Sequence, residues 1–244
     1  MSRISWFILF ILAYTPLLCQ HRFIENKGQW PENVRYRAEI ANGRVYLEDR
    51  ALTFDLLDRP TVDEVFASHR GEKSIKIPKR LQCHAYQIVF ENSRNLSEIR
   101  GSNPFETKYS FFTAEGTGKG AMAFRSVRYS EIYPDVDMRV HSNGNLKYDF
   151  IVKPGGDPSS IILSYQGVEP KLNQKGELEF ETAIGMVKEL KPFAYQNIHG
   201  KITEVACKFE LSGGKSRFRV GEYNPDYELI IDPELIFSTY SGSF

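Results

Sequence analysis

The stretch MRVHSNGNLKYDFIV, residues 138–152, decides the fold. Asn143-Gly144 stands between two arms of strand-forming residues, and Asn-Gly is the dipeptide that a tight hairpin turn with positive φ requires. Met138 and Val140 share one face of the first arm, and Leu146, Tyr148 and Phe150 share one face of the second. The same period-two alternation recurs in GELEFET (176–182), CKFEL (207–211) and SRFRV (216–220), each with one face for a core and one for water. Turn signals separate these runs at ANGRVYL, PGGDPSS, NQKGEL, LSGGKS and YNPDY. TVDEVFASHRGEK can form a short helix around residues 63–68 or remain a loop, and no other segment carries helical periodicity. The reading is an all-β protein, an antiparallel β-sandwich in two packed lobes with little helix. The glycine-rich AEGTGKGAMA (114–123) is the expected linker, dividing a lobe at 20–120 from one at 121–234.

Composition narrows the function classes. The 244 residues carry 31 Lys plus Arg against 31 Asp plus Glu, so the net charge is zero. A nucleic-acid binder needs a basic surplus to displace counterions from phosphates, and that class is excluded as a partner. The first residues, MSRISWFILFILAYTPLLCQ, place Arg3 before an apolar run that is broken by Pro16 and too short to span a bilayer. This is the layout of a secretory signal peptide over residues 1–19, which predicts export to the periplasm, cell surface or medium, with no transmembrane span after cleavage. Acylation of Cys19 is disfavoured by the bulky Leu18 before it. Cys83 and Cys207 remain in the mature chain; they can pair, but two buried free thiols is the preferred reading.

Motifs for chemistry are sparse. The 5 histidines are scattered singly, and none stands at zinc-ligand spacing from a second ligand. There is no nucleophile elbow, phosphate loop or dinucleotide fingerprint, and no cofactor is expected. Asp135 and Asp137, two apart in YPDVDMRV, are weak Ca²⁺ candidates and a conceivable carboxylate pair for glycoside hydrolysis; two exposed aspartates is the plainer reading. Trp30, Tyr36, Tyr46, Tyr109, Phe111, Phe112, Tyr129 and Tyr133 could include a sugar-stacking platform, although aromatics on alternating strands mostly fill sandwich interiors.

Long stretches carry a resemblance, in order along the chain: FIENKGQWPENVRYRAEIANGRVYLEDRALTFDL (23–56), VRYSEIYPDVDMRVHSNGNLKYDFIVKPGGDPSSIILSYQG (127–167), GELEFETAIGMVKELKPFAYQ (176–196) and YELIIDPELIFSTYSGSF (227–244). Together they resemble the N-terminal module of large exported proteins of Bacteroidetes-type bacteria. In those proteins propeller-type β-repeats follow, often with a gliding-motility or type IX secretion sorting domain. The resemblance implies a cell-surface or secreted, non-enzymatic structural or adhesive module, with envelope proteins or surface polysaccharide as partners. Asn26, Gly28, Gln29 and Trp30 read as a capped turn with an anchoring indole. Tyr148, Asp149, Phe150 and Pro154 read as a strand ending at a turn, and Asp232-Pro233 as the close of the module. Relatives continue after an STYLGG-like sequence where this chain has STYSGSF. Residues 235–244 are therefore expected to begin an absent repeat region, with 237–244 loosely packed or taken up as an edge strand. A carbohydrate-binding β-sandwich and a hydrolase at Asp135/Asp137 are the alternative functions.

Overall fold

Alternating side chains, one inward and one outward, build most of the elements. The computed structural model describes residues 21–58, 82–94, 98–114 and 116–239. Residues 1–19, with the expected signal peptide and Cys19, and residues 63–68 lie outside the described residues. The protein is all-β and antiparallel. Its one helical element among the described residues is a 3-10 turn, Pro158–Ser160, capped by Asp157, whose side chain accepts from the Ser159 amide at 2.8 Å.

The first wall of the structure is a run of antiparallel neighbours. It passes from β1 (Phe23–Glu25) through β2 (Val34–Ile40), β3 (Gly43–Glu48), β4 (Ala51–Leu57) and β5 (Cys83–Phe90). The later strands β10 (Ile162–Gln166), β17 (Lys215–Val220) and β16 (Cys207–Ser212) complete it. The second wall starts with β6 (Glu98–Phe112), β7 (Thr117–Tyr133), β8 (Val136–Asn143) and β9 (Asn145–Val152). Along its free edge β9 then meets β18 (Leu229–Asp232) and β19 (Glu234–Thr239) in succession. Beyond β18 lie β14 (Phe193–Ile198) and β15 (Lys201–Val205); beyond β19 lie β13 (Gly185–Glu189), β12 (Leu178–Thr182) and β11 (Lys171–Leu172).

One short strand joins the walls. β1 pairs with β2 on one side and with β7, at Phe124 and Ala123, on the other. The walls face each other across an aromatic core. Phe54 meets Phe237 at 6.0 Å between ring centroids, Phe90 meets Phe150 at 6.5 Å, and Tyr86 meets Phe180 at 5.6 Å. Removing such rings from water is the main stabilising term, about 1.5–3 kcal/mol for each fully buried side chain. The buried residues form one cluster running from Phe23 to Leu235, on both sides of the expected lobe boundary.

The Asn143-Gly144 hairpin has the expected form. β8 and β9 pair from Val136↔Val152 to Asn143↔Asn145, with Gly144 at φ 86° in the turn, and Met138, Val140, Leu146, Tyr148 and Phe150 are all buried. β9 ends in a turn at Pro154-Gly155, where the Gly156 amide donates to the Lys153 carbonyl at 2.9 Å and Gly155 takes φ 82°.

The glycine-rich segment is not a linker. Its residues from Thr117 onward are the first half of β7, and two of its three glycines, Gly116 and Gly118, admit close neighbours. A Cβ on Gly116 would overlap the Gly28 carbonyl oxygen, and one on Gly118 would overlap the amide oxygen of Gln29. Their spacing reflects a crossing of two chains rather than flexibility.

The Asp232-Pro233 break also differs from expectation. Residues 192 and 233 are both prolines and neither has an N–H to donate, so the long antiparallel ladder is interrupted between them. It resumes as β13 with β19, and the Leu190 amide donates to the Glu234 carbonyl at 2.9 Å. Lys147 straddles the gap, with Nζ 2.9 Å from Asp232 and 3.1 Å from Glu234. Residues 234–239 thus belong to this sheet: Leu235 is fully buried between β9 and β13, and the strand beyond it pairs, among the described residues, with β13 alone. Residues 240–244 lie outside the described residues.

Cys83 and Cys207 are both free among the described residues. Cys83 is exposed rather than buried, while Cys207 is buried and its thiol is pushed up to about 11 by that burial. No helix among the described residues is long and apolar enough to cross a membrane.

Gly118→Ala forces the buried Gln29 side chain from its place and is expected to cost about 2–3 kcal/mol in chemical denaturation. Gly120 has φ +67° with nothing near its Cβ position, so Gly120→Ala is expected to cost only about 1 kcal/mol.

Candidate functional site

The loop between β1 and β2 is wound around Asn26. Its carboxamide oxygen accepts from the amides of Gly28 at 3.0 Å and Trp30 at 3.3 Å. Its amide nitrogen donates to the carbonyls of Trp30, Pro31 and Val34 at 3.0, 2.9 and 2.8 Å. Gly28 supplies the positive φ of 99° that the turn needs. Gln29, fully buried, donates to the Glu25 carbonyl at 2.8 Å and accepts from the Lys27 amide at 2.7 Å. The result is a rigid bracket that holds the Trp30 indole against β6.

From Trp30 a continuous strip of aromatic rings and arginines runs along β6. Trp30 lies 5.5 Å from Phe111, and Phe111 stacks on Tyr109 at 6.2 Å with the planes 19° apart. The Arg37 guanidinium sits 4.5 Å above the Trp30 ring and 5.9 Å from Phe111. At the other end Arg22 donates to the Tyr109 hydroxyl at 2.6 Å and lies 5.0 Å over Phe105. Arg125 covers Phe105 at 4.3 Å. Such cation–π pairs contribute about 0.5–1 kcal/mol each at exposed positions.

β6 pairs only with β7 among the described residues, so the strip follows a sheet edge, with register shifts at Pro104/Lys108 and Tyr109/Phe111. Beside it opens a groove of about 490 Å³ lined by Trp30, Arg37, Arg44, Tyr46, Glu48 and Thr113. Of the aromatics named from sequence, Tyr36, Tyr129 and Tyr133 belong to the core, and Trp30 is likewise buried, with Tyr109 and Phe111 half-buried beside it. Trp30, Tyr46, Tyr109 and Phe111 are brought together along the strip and its groove, and Phe112, next to Phe111, is exposed. The arginines were missed because they arrive from β2, β7 and the approach to β1, which no local pattern connects.

The carboxylates named from sequence do other work. Asp137 is buried, not exposed: it takes Arg128 Nε at 3.0 Å, Lys153 at 2.9 Å and the Glu131 amide at 2.8 Å. Burial alone would raise its pKa, but the amide, Lys153 and Arg128 outweigh that and hold it below the usual range. Asp135 is exposed in the β7–β8 turn at φ 54°. Both oxygens of Asp137 are engaged by its own partners, which leaves it no free oxygen to share with the exposed Asp135 in a cation cage or a catalytic pair. No group of three potential metal ligands occurs among the described residues. Asp149, also buried, is held by Arg139 at 3.1 Å and by His141 at 2.9 Å. Burial pushes its pKa up, and those partners bring it below the ordinary value.

One carboxyl escaped the sequence reading. Glu189 is fully buried on β13, on the same face as Val187. Its Oε2 accepts from the Tyr165 hydroxyl at 3.3 Å, and that hydroxyl also meets Ser216 Oγ at 2.9 Å. Among the described residues Glu189 Oε1 and the buried hydroxyls of Tyr86 and Tyr148 make no well-formed hydrogen bond, although the Tyr148 hydroxyl faces the carboxyl. Burial drives the Glu189 carboxyl up to about 7, and the facing tyrosines offset only part of that. Glu189, Tyr86, Tyr148 and Ser216 are all buried, so this cluster is a feature of the interior.

The fold and the strip define a class: an all-β, antiparallel domain with rings and arginines gathered along one sheet edge. Residues 23–234 match the family described as a domain of unknown function (DUF7948), and the chain belongs to that family. No curated protein and no solved structure matches it.

A carboxyl whose pKa rises on folding holds its proton more tightly in the native state. Its contribution is complete below the unfolded value near 4.5 and is lost as pH rises through about 7. Glu189→Gln should remove this loss. Relative to the parent, the variant is expected to gain about 3 kcal/mol between pH 4.5 and pH 8 in urea denaturation.

Proposed function

We propose that the protein is an exported, non-enzymatic adhesion module that holds saccharide on the β6 edge. The observation that carries this reading is the continuous strip from Trp30 through Arg37, Phe111, Tyr109 and Arg22 to Phe105. Pyranose rings present C–H faces that stack on aromatic rings and hydroxyls that accept from guanidinium edges. A strip of alternating rings and donors suits a ligand of repeating units. The groove beside Trp30 offers a terminal subsite.

Export rests on the apolar leader of residues 1–19, and surface display on the resemblance to N-terminal modules of large exported proteins. The occupied state of Asp137 and the exposed position of Asp135 favour binding over hydrolysis.

A glycan array probed with the purified protein should return a set of related oligosaccharides. Phe111→Ala and Arg37→Ala should each weaken binding about ten-fold or more without lowering the melting temperature by more than a few degrees. An array without hits above background overturns the proposal.

A further inference from the structure

A second concavity lies on a different part of the molecule, where the β11–β12 turn, the β13–β14 connection and the strands around β16 converge. It has a volume of about 660 Å³, within the range of small-ligand sites. Its rim carries Lys175, Lys191, Lys208 and Arg219, against the single carboxylate of Glu204. Arg219 is paired with Glu210 at 3.1 Å, but the three lysines are exposed and make no ion pair among the described residues. Elsewhere in this electroneutral chain many basic side chains are matched, as Lys147, Lys153 and Lys188 are. Pro192, Val205 and Val220 supply an apolar floor.

We infer that this cleft binds a short anionic oligosaccharide, with its carboxylate or sulfate groups on Lys175, Lys191 and Lys208 and a ring face on Pro192 and Val205. The lysines come from separate segments, so a ligand reaching all of them bears more than one anionic group. Ammonium groups are compact, freely rotating charges and suit anions displayed along a polymer better than a planar bidentate contact. Like charges gathered around one hollow also raise the local concentration of anions, an attraction that salt screens. The cleft is separate from the strip along β6 and does not depend on it.

Calorimetric titration with tetragalacturonate and, separately, a heparin-derived tetrasaccharide tests the inference and distinguishes carboxylate from sulfate. At least one should bind, more weakly as salt rises, while neutral maltotetraose should not bind at this site. The Lys191→Gln/Lys208→Gln variant should lose about ten-fold or more in affinity, and Phe111→Ala should leave this binding unchanged. The inference is overturned if neither anionic probe binds, if maltotetraose binds equally well, if the double variant binds like the parent, or if a single-stranded oligothymidylate binds more tightly than both saccharides. Loss of array binding in Phe111→Ala with retention of the anionic probe would separate the two sites.

Discussion

The architecture depends on a seam three residues long. β1, Phe23–Glu25, is the strand that hydrogen-bonds to both walls, to β2 on one side and β7 on the other. So short a strand has little pairing energy of its own, and the surroundings hold it in place. Phe23 is wholly buried, the Glu25 side chain accepts from the Met122 amide at 2.9 Å, and the Gln29 side chain ties back to the Glu25 carbonyl. Gly116 and Gly118 exist for the same reason, because the Gly28 carbonyl and the Gln29 side chain of the bracket stand where a Cβ would be. Core, seam and bracket form one construction, and the Arg–aromatic strip runs from the buried Trp30 out to the half-buried rings of β6.

Charge follows the same economy. Asp137 and Asp149 are buried on a hairpin most of whose residues are buried, and each is surrounded by donors on its own hairpin or the next strand. Breaking one partner from such a group is costly, while the pair as a whole adds little net stability. These clusters fix strand register: a one-residue slip of β8 would carry Asp137 away from Arg128 and expose Met138 and Val140. Glu189 is the exception, a carboxyl with only weak support, and its burial shows as a pKa raised to about 7.

Much of the fold was legible because period-two alternation reports directly on which face is buried. The hairpin at Asn143-Gly144 and the inward positions of Leu178, Phe180, Phe209 and Phe218 follow from that rule alone. The same rule applied to GMVKE would have placed Glu189 inward beside Val187, but a charged residue is habitually read as outward. The strip was harder to see. Register shifts in β6 destroy its periodicity, and its cations come from segments far apart in sequence. The glycine-rich run misled for a related reason: glycine records either freedom or crowding, and only the neighbouring chain tells which.

The order in which strands are paired has a consequence for how the chain acquires its shape. β1 waits for residues 123–124, β5 for residues 163–166, and β9 for residues 229–235. The first wall therefore cannot be completed by the first half of the chain, since β10 and β17 enter it late. Local hairpins can form early, but the closed structure demands almost the full length at once. Topologies dominated by such distant pairings fold slowly. The interval in which the chain is complete but unclosed leaves β-edges and aromatic faces bare, and during it the molecule is most exposed to proteases and to its own copies.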